Sequence, residues 1–308
     1  MTAWLILARA VHIGACLLFF GVFAFDRFTV SGMASGNRKI AEYWKSRLGI
    51  ISWVLPPVIL ASGIAWFVLA AVAMSGQPFD MGILKIVWGQ TQFGAVSKIR
   101  LIFVVAATVL SCFQKSEPEV RRFAAWVQIV AAGCLLGSLA WIGHGQEGPK
   151  WHLLADVVHL LAAGIWPAGL LPLLLLLRSG RRIGEPQDWV FISGLVRRFS
   201  AISLATVLVL AITGTVNAIF LVGTFHNLIE QPYGRWLLAK IVFFGLALAI
   251  AAVNLLRLKP RLIVERIDPD KAAATAGQLE RNVQFELVLG SGIVVVVAVL
   301  GILPPAIH

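Results

Sequence analysis

Charged residues are scarce in this chain of 308 residues. Asp, Glu, Lys and Arg together make up 13% of it, whereas a soluble globular domain carries about 25%. Hydrophobic residues make up 59%. A helix that crosses a bilayer core needs about 20 predominantly apolar residues. The composition therefore argues against a soluble globular protein and favours a membrane protein.

Cysteines and catalytic signatures are also scarce. The three cysteines (Cys16, Cys112 and Cys134) lie in apolar segments and form no CxxC pair, so a disulfide framework is not expected. The sequence has no GxxxxGK[ST] motif, no GxGxxG that follows a strand, and no nucleophile elbow. These absences predict that the protein is not an enzyme, and that it does not pump ions with ATP by itself.

Eight apolar segments are long enough to cross a bilayer. They are continuous rather than alternating, which excludes the pattern of a membrane β-barrel and predicts an all-α polytopic membrane protein. The predicted segments lie near 4–26, 50–74, 98–113, 123–143, 152–177, 199–223, 235–257 and 284–303.

The net charge of +11 is distributed unevenly. Of the 26 lysines and arginines, 19 lie in alternate loops, namely those after the first, third, fifth and seventh segments. The positive-inside rule places such loops in the cytoplasm, so both termini are predicted to be periplasmic. This distribution is explained by membrane orientation, and we expect no nucleic-acid partner.

The sequence also contains matched features in its two halves. Trp4 and His12 are eight residues apart, as are Trp151 and His159. An aromatic-glycine pair precedes Arg100 by six residues, and another precedes Lys240 by six. Matches in the same order indicate an internal repeat. We predict two parallel four-helix repeats, 1–145 and 146–308, that together form one integral membrane unit.

All six histidines fall in the predicted outer half of the protein. They are His12, His144, His152, His159, His226 and His308. Neutral imidazole is the commonest ligand for transition metals in proteins, so this placement suggests a metal site near the outer face. His226 and His308 are exposed in the predicted topology, and we assign them no role.

Two helices carry the candidate ligands. Residues three or four apart share one helical face, and each of the two sets follows that spacing. The predicted fifth helix carries His152, Asp156 and His159, and the first carries Arg9, His12 and Cys16. If the repeats face each other, His12 approaches His159. The loop between them adds His144 as a candidate for capturing a cation.

The polar residues leave several alternatives open. Asp156 could bind metal, orient a histidine ring, or neutralise Arg9. A purely structural hydrogen-bonded network between helices is the main alternative to a metal site. Lys98, Arg100 and Lys240 are expected to extend outward to the membrane surface, and we assign them no chemistry.

The ligand types favour copper. Imidazole with a thiolate suits copper, and Cys16 lies one turn from His12. A haem b protein with His12 and His159 as axial ligands is a second hypothesis. A membrane assembly partner for a periplasmic copper protein is a third.

At these residues the sequence resembles the copper resistance protein D family (CopD/PcoD). The resemblance is most specific in 143–173, 212–220, 231–244 and 285–306. It implies a multi-helix protein of the bacterial inner membrane that imports copper beside a periplasmic partner of the CopC type. It also implies metal-binding roles for His12, His144, His152 and His159. Pro167, in a step where the family pattern suggests small residues, is expected to kink the helix.

Overall fold

The computed structural model describes residues 1–31, 38–115, 117–143, 149–183 and 185–307. Within these ranges every regular element is helical, which confirms the predicted all-α class. Eight helical segments are long and apolar enough to cross a membrane. They are Thr2–Val30, Arg38–Ser75, Gln92–Ser111, Glu119–Trp141, Lys150–Arg182, Pro186–Val222, Pro232–Glu265 and Pro269–Leu300.

The described chain contains twelve α-helices. In chain order they are α1 (Thr2–Phe25), α2 (Arg38–Ser75), α3 (Met81–Gln90), α4 (Gln92–Ser111), α5 (Pro118–Gly137), α6 (Lys150–Ile165), α7 (Leu170–Ile183), α8 (Pro186–Val222), α9 (Phe225–Glu230), α10 (Pro232–Val253), α11 (Lys259–Glu265) and α12 (Pro269–Leu300). Short π-helical turns follow α1 and α10, at Asp26–Val30 and Asn254–Leu258.

Several helices extend beyond the predicted apolar segments. The second segment was predicted to begin near residue 50, but α2 begins at Arg38; the eighth was predicted to begin near residue 284, but α12 begins at Pro269. Hydropathy detects only the stretch in contact with lipid. A helix of 38 residues at about 1.5 Å per residue is longer than a bilayer core of about 30 Å, so its polar end continues beyond the core.

The helix α1 lies at the centre of the bundle, where it packs against α2, α5, α6 and α12. Gly21 of α1 permits a close approach between α1 and α6. A methyl group added to Gly21 would overlap the carbonyl oxygen of Gly164 and lie 2.6 Å from the Cβ atom of Ala168. Small residues allow helices in a membrane to pack backbone against backbone. This contact fixes the position of α1, which carries His12.

The predicted fifth helix is two helices in the structure. The helix α6 ends at Ile165 and α7 begins at Leu170, with a turn over residues 166–169 between them. Proline lacks a backbone N–H and clashes with the preceding turn of a helix, so Pro167 accounts for the interruption. The expected kink is thus confirmed, but it is a full break rather than a bend in one helix.

Similar local geometries occur in the two halves. Asp80 caps the N-terminus of α3 by accepting a hydrogen bond from the backbone N–H of Ile83 at 3.1 Å, and Thr224 caps α9 by accepting one from the N–H of Asn227 at 3.2 Å. Gly94 and Gly234 each pass so close to the preceding short helix that a methyl group would overlap a backbone carbonyl oxygen there. The division into two parallel repeats at residue 145 stays a prediction, and these paired geometries agree with it.

Candidate functional site

His12 is held by α2. Its ring is 3% exposed, and Nδ1 lies 3.0 Å from the carbonyl oxygen of Ile59 and 3.1 Å from Oγ of Ser62. The Ser62 hydroxyl itself donates to the carbonyl of Val58, at 2.6 Å. Both oxygens near Nδ1 therefore accept, so Nδ1 carries the hydrogen. It follows that Nε2 of His12 presents a lone pair.

That lone pair faces Arg100, which comes from α4. Nη2 of Arg100 lies 2.5 Å from Nε2 of His12 and 3.5 Å from Sγ of Cys16. Nη1 donates to the carbonyl oxygen of Leu135 at 2.9 Å and to Oγ of Ser138 at 2.6 Å. The guanidinium group thus joins α1, α4 and the end of α5.

The expectation that Arg100 extends outward to the membrane surface is wrong. Arg100 is 5% exposed, and four acceptor atoms surround its guanidinium group. A buried charge is tolerated where its hydrogen-bonding capacity is satisfied. These acceptors lie on two neighbouring helices, so their convergence could not be seen in the spacing along α4.

Cys16 completes this first cluster. Its thiol is 1% exposed, and Sγ lies 3.8 Å from Nε2 of His12. The imidazole nitrogen and the sulfur therefore face the same small region, which the Nη2 nitrogen of Arg100 contacts from a third side.

His159 is held in the same manner by α8 and α10. Nδ1 lies 2.9 Å from Oγ1 of Thr213, whose hydroxyl donates to the carbonyl of Val209 at 2.7 Å. Nδ1 therefore donates, and Nε2 faces Nζ of Lys240 at 3.5 Å. The expectation that Lys240 extends outward is also wrong, because its ammonium group turns toward His159 and interacts with Asp156.

His152 is the candidate ligand with free nitrogens. It is 1% exposed, and its ring stacks on Phe220 with 4.7 Å between ring centroids. Neither Nδ1 nor Nε2 has a hydrogen-bond partner in the described part of the chain. A buried polar group without a partner is unusual in a protein and calls for an explanation.

A cavity of about 140 Å³ lies beside His152. Asp156, Asn217, Arg9 and Lys240 also line it. Asp156 accepts a hydrogen bond from Asn217 at 3.1 Å, and the guanidinium group of Arg9 lies over the Trp66 ring, 4.9 Å from its centroid. Neutralisation of Asp156 by Arg9 stays a prediction. The cavity lies where α6 and α10 begin and α12 ends, at the end of the bundle predicted to face the periplasm.

The predicted ligands are distributed over these neighbouring clusters. Among the described residues, no hydrogen bond or ring contact joins His12 to His159, and no three His, Cys, Asp or Glu side chains are grouped closely enough to hold a metal ion. His144 lies outside the described residues, as does His308. Coordination of one ion by both His12 and His159 stays a prediction.

Comparison with known proteins identifies the family. Residues 193–300 match the family profile described as copper resistance protein D, and residues 1–154 match that of the copper resistance protein D-like N-terminal domain. The chain is 30% identical to copper resistance protein D of Pseudomonas syringae pv. tomato over 252 residues, which cover 77% of this chain and 78% of that protein. The chain belongs to the copper resistance protein D family.

Two further relatives of this CopD-family protein are similar over most of its length. It is 27% identical to the copper transport protein CutJ of Bacillus subtilis (strain 168), over 80% of this chain but 45% of CutJ. It is 27% identical to the inner membrane protein YebZ of Escherichia coli (strain K12), over 70% of each chain. The chain therefore corresponds to less than half of CutJ and to most of YebZ.

The described residues give the haem hypothesis no support in this CopD-family chain. Nε2 of His12 is bonded to Arg100 and Nε2 of His159 faces Lys240, so a haem iron, like any metal ion, would first have to displace these cations. The cavity of about 140 Å³ is also smaller than the roughly 300–1,000 Å³ of typical ligand pockets.

Sequence reasoning missed Arg100 and Lys240 as partners of the histidines. A signal for them was present, because both cations stand six residues after an aromatic-glycine pair in the two predicted repeats. A cation kept at both positions suggests a shared role, but its partner becomes visible only when α4 and α10 are placed against α1 and α6.

Proposed function

We propose that this protein transports copper ions across the bacterial inner membrane, from the periplasm to the cytoplasm. The observation that carries the proposal is His152, a buried imidazole with both nitrogens unpartnered beside a cavity that also presents Asp156. Imidazole and carboxylate side chains are ligands that bind copper ions. The family to which the chain belongs is consistent with copper as the ion.

The direction rests on the charge distribution and the position of the cavity. The arginine- and lysine-rich loops lie at one end of the bundle and the cavity lies at the other, so the positive-inside rule places the cavity on the periplasmic side. A copper ion that arrives from the periplasm would meet His152 and Asp156 first. A periplasmic protein of the CopC type is the partner we propose for delivery, with His144 in the adjoining loop as a further ligand.

His12 and Cys16 form the next position on the proposed route. Their Nε2 and Sγ atoms are 3.8 Å apart. Metal–nitrogen and metal–sulfur bonds of about 2.0 and 2.3 Å, as found for zinc, would bridge this gap in a bent arrangement. Soft sulfur with imidazole suits copper in its reduced state.

Arg100 competes with copper for this position. Its Nη2 atom contacts both the nitrogen and the sulfur that would bind the ion. Two positive charges in a dry interior repel each other strongly, so the guanidinium group must withdraw before copper binds. We propose that Arg100 keeps the ligands occupied in the copper-free state, and that Lys240 does the same for His159.

Copper uptake by the purified protein in proteoliposomes tests the proposal. His152→Ala and His12→Ala should each lower the initial rate of uptake at least tenfold, because each removes a ligand from the route. His226→Ala is the matched control, since His226 is exposed outside the cavity, and it should transport normally.

Normal uptake by both His152→Ala and His12→Ala would reject the proposed histidine route. If the wild-type protein moves no copper into vesicles, and copper content of the purified protein is the same in all variants, the transport function is rejected. The role of a membrane assembly partner would then explain the fold.

A further inference from the structure

A buried carboxyl group lies far from the histidines. Glu286, in the middle of α12, is 3% exposed. Its Oε1 atom accepts a hydrogen bond from Nδ2 of Asn254 at 2.6 Å, and Oδ1 of Asn254 accepts one from Nδ2 of Asn282 at 2.7 Å. Asn254 is 14 residues beyond Lys240 along α10 and the π-helical turn, or about 21 Å at 1.5 Å per residue. This group is therefore separate from the proposed copper ligands.

Among the described residues Glu286 has no ionic partner. Several charged side chains on the helices around α12 bind elsewhere or are exposed. Arg178 and Arg181 of α7 form ion pairs with Glu280, and Arg261 of α11 forms one with Glu265. Lys240 of α10 faces His159, and Arg9 of α1 lies over the Trp66 ring. Arg198 of α8 donates to the carbonyl oxygen of Ser31, and Arg257 of the π-helical turn is exposed. A carboxyl group so enclosed by neutral groups within a membrane is costly when ionised, and such groups commonly serve proton transfer.

The corresponding position in the first half shows that packing does not require a carboxyl group. Gln128 of α5 precedes Gly143 by 15 residues, as Glu286 precedes Gly301, so the two positions match in the predicted repeats. Gln128 is 2% exposed. Its amide nitrogen donates to the carbonyl of Ala107 at 3.2 Å and to the Ser111 hydroxyl at 2.9 Å. A neutral amide thus joins two helices at this level. The carboxyl group of Glu286 adds one capability that an amide lacks, namely to take up and release a proton.

A pocket lies two hydrogen bonds away from this carboxyl group. The amide chain runs from Asn282 through Asn254 to Glu286, and a pocket of about 280 Å³ borders Asn282 and Arg281. Asn254 opens the π-helical turn Asn254–Leu258, and such turns within helices often occur at functional sites. The ion pairs of Glu280 lie six residues earlier on α12, about 9 Å closer to the end predicted to face the cytoplasm.

We infer that Glu286 is a proton-binding site within the membrane, and that its proton is exchanged with the cytoplasmic side when copper passes. The proton moves between the carboxyl oxygen and water, with the asparagine chain holding the carboxyl group in place. The coupling to copper rests on the proposed transport function, whereas proton binding by Glu286 does not.

Two measurements test this inference separately. The first is infrared difference spectroscopy of the purified full-length protein during a pH titration. The wild type should show the carbonyl band of a protonated carboxylic acid, and Glu286→Gln should lose that band. Glu280→Gln is the control, since Glu280 is ion-paired, and it should retain the band. Glu286→Asp should restore a titrating band, which separates loss of the carboxyl group from loss of the fold.

The second measurement follows internal pH while copper enters proteoliposomes. Glu286→Gln should abolish the pH change that accompanies copper in the wild type, while copper binding to the solubilised protein stays normal. A titrating band that persists in Glu286→Gln overturns the inference, and so does an unchanged pH response. If the wild type transports no copper, the transport proposal fails, and the infrared titration still decides whether Glu286 binds a proton.

Discussion

Replacing Arg100 by leucine gives the sharpest test of how the histidine clusters work. Leucine keeps an apolar side chain, adds no copper ligand, and removes the guanidinium group that contacts Nε2 of His12 and Sγ of Cys16. If Arg100 and copper compete for the same two atoms, Arg100→Leu should bind copper more tightly than the wild type. A role of Arg100 in binding the ion would give the opposite result.

The size of the effect follows from the hydrogen bond between Arg100 and His12, which copper must break in the wild type but not in the variant. A hydrogen bond from a charged donor contributes about 1.5–3 kcal/mol, and each 1.4 kcal/mol changes an equilibrium constant about tenfold. We therefore expect the dissociation constant for Cu(I) to fall by about 10- to 100-fold. The same charged group also donates to Leu135 and Ser138, so losing these two bonds should lower stability by about 3–6 kcal/mol, and thermal unfolding of the variant checks that it is folded.

The assay is competition for Cu(I) between the solubilised protein and a chromogenic chelator. Lys98→Leu is the matched control, since Lys98 is a cation of the same helix that lies over the Trp88 ring instead of at the histidine. Adding His12→Ala to Arg100→Leu should remove the gain. An unchanged or weaker affinity in a folded Arg100→Leu protein would refute the competition.

Two glycine positions yield further predictions. Gly21→Ala should lower the stability of the bundle by about 1–3 kcal/mol, because the new methyl group would overlap α6. The effect should appear as a lower midpoint of thermal unfolding. Gly245→Ala is the control and should leave the midpoint unchanged, since no atom lies within 4 Å of the added methyl group. Gly63→Ala should slow copper uptake, since the new Cβ atom would lie 3.0 Å from Cε1 of His12. Gly214→Ala should have a smaller effect, because its Cβ atom would lie 3.4 Å from Cε1 of His159. Equal uptake by these two variants would show that the position of the His12 ring does not limit transport.

The agreement between sequence and structure is best where a single helix carries the information. The eight membrane spans follow from apolar length alone, and Pro167 marks the break between α6 and α7. The histidines and Cys16 were recognisable as candidates because their residue types bind metals. Among them, His12, His152 and Cys16 are buried in the structure, which agrees with a position inside the bundle.

Prediction from sequence was weaker wherever two helices meet. Arg100 looks like a residue that extends toward the membrane surface, because its position along α4 says nothing about the acceptors on α1 and α5. The pairing of Glu286 with Asn254 was equally hidden, since a π-helical turn sets the direction of Asn254.

Hydropathy, basic loops and residue types thus determined that the chain crosses a membrane, which end faces the cytoplasm in the predicted topology, and which side chains could bind copper. Tertiary structure alone decided which nitrogen atoms are free and which are held by a cation. The reason is physical: partitioning into lipid depends on each helix by itself, whereas a hydrogen bond depends on the relative rotation and depth of two helices.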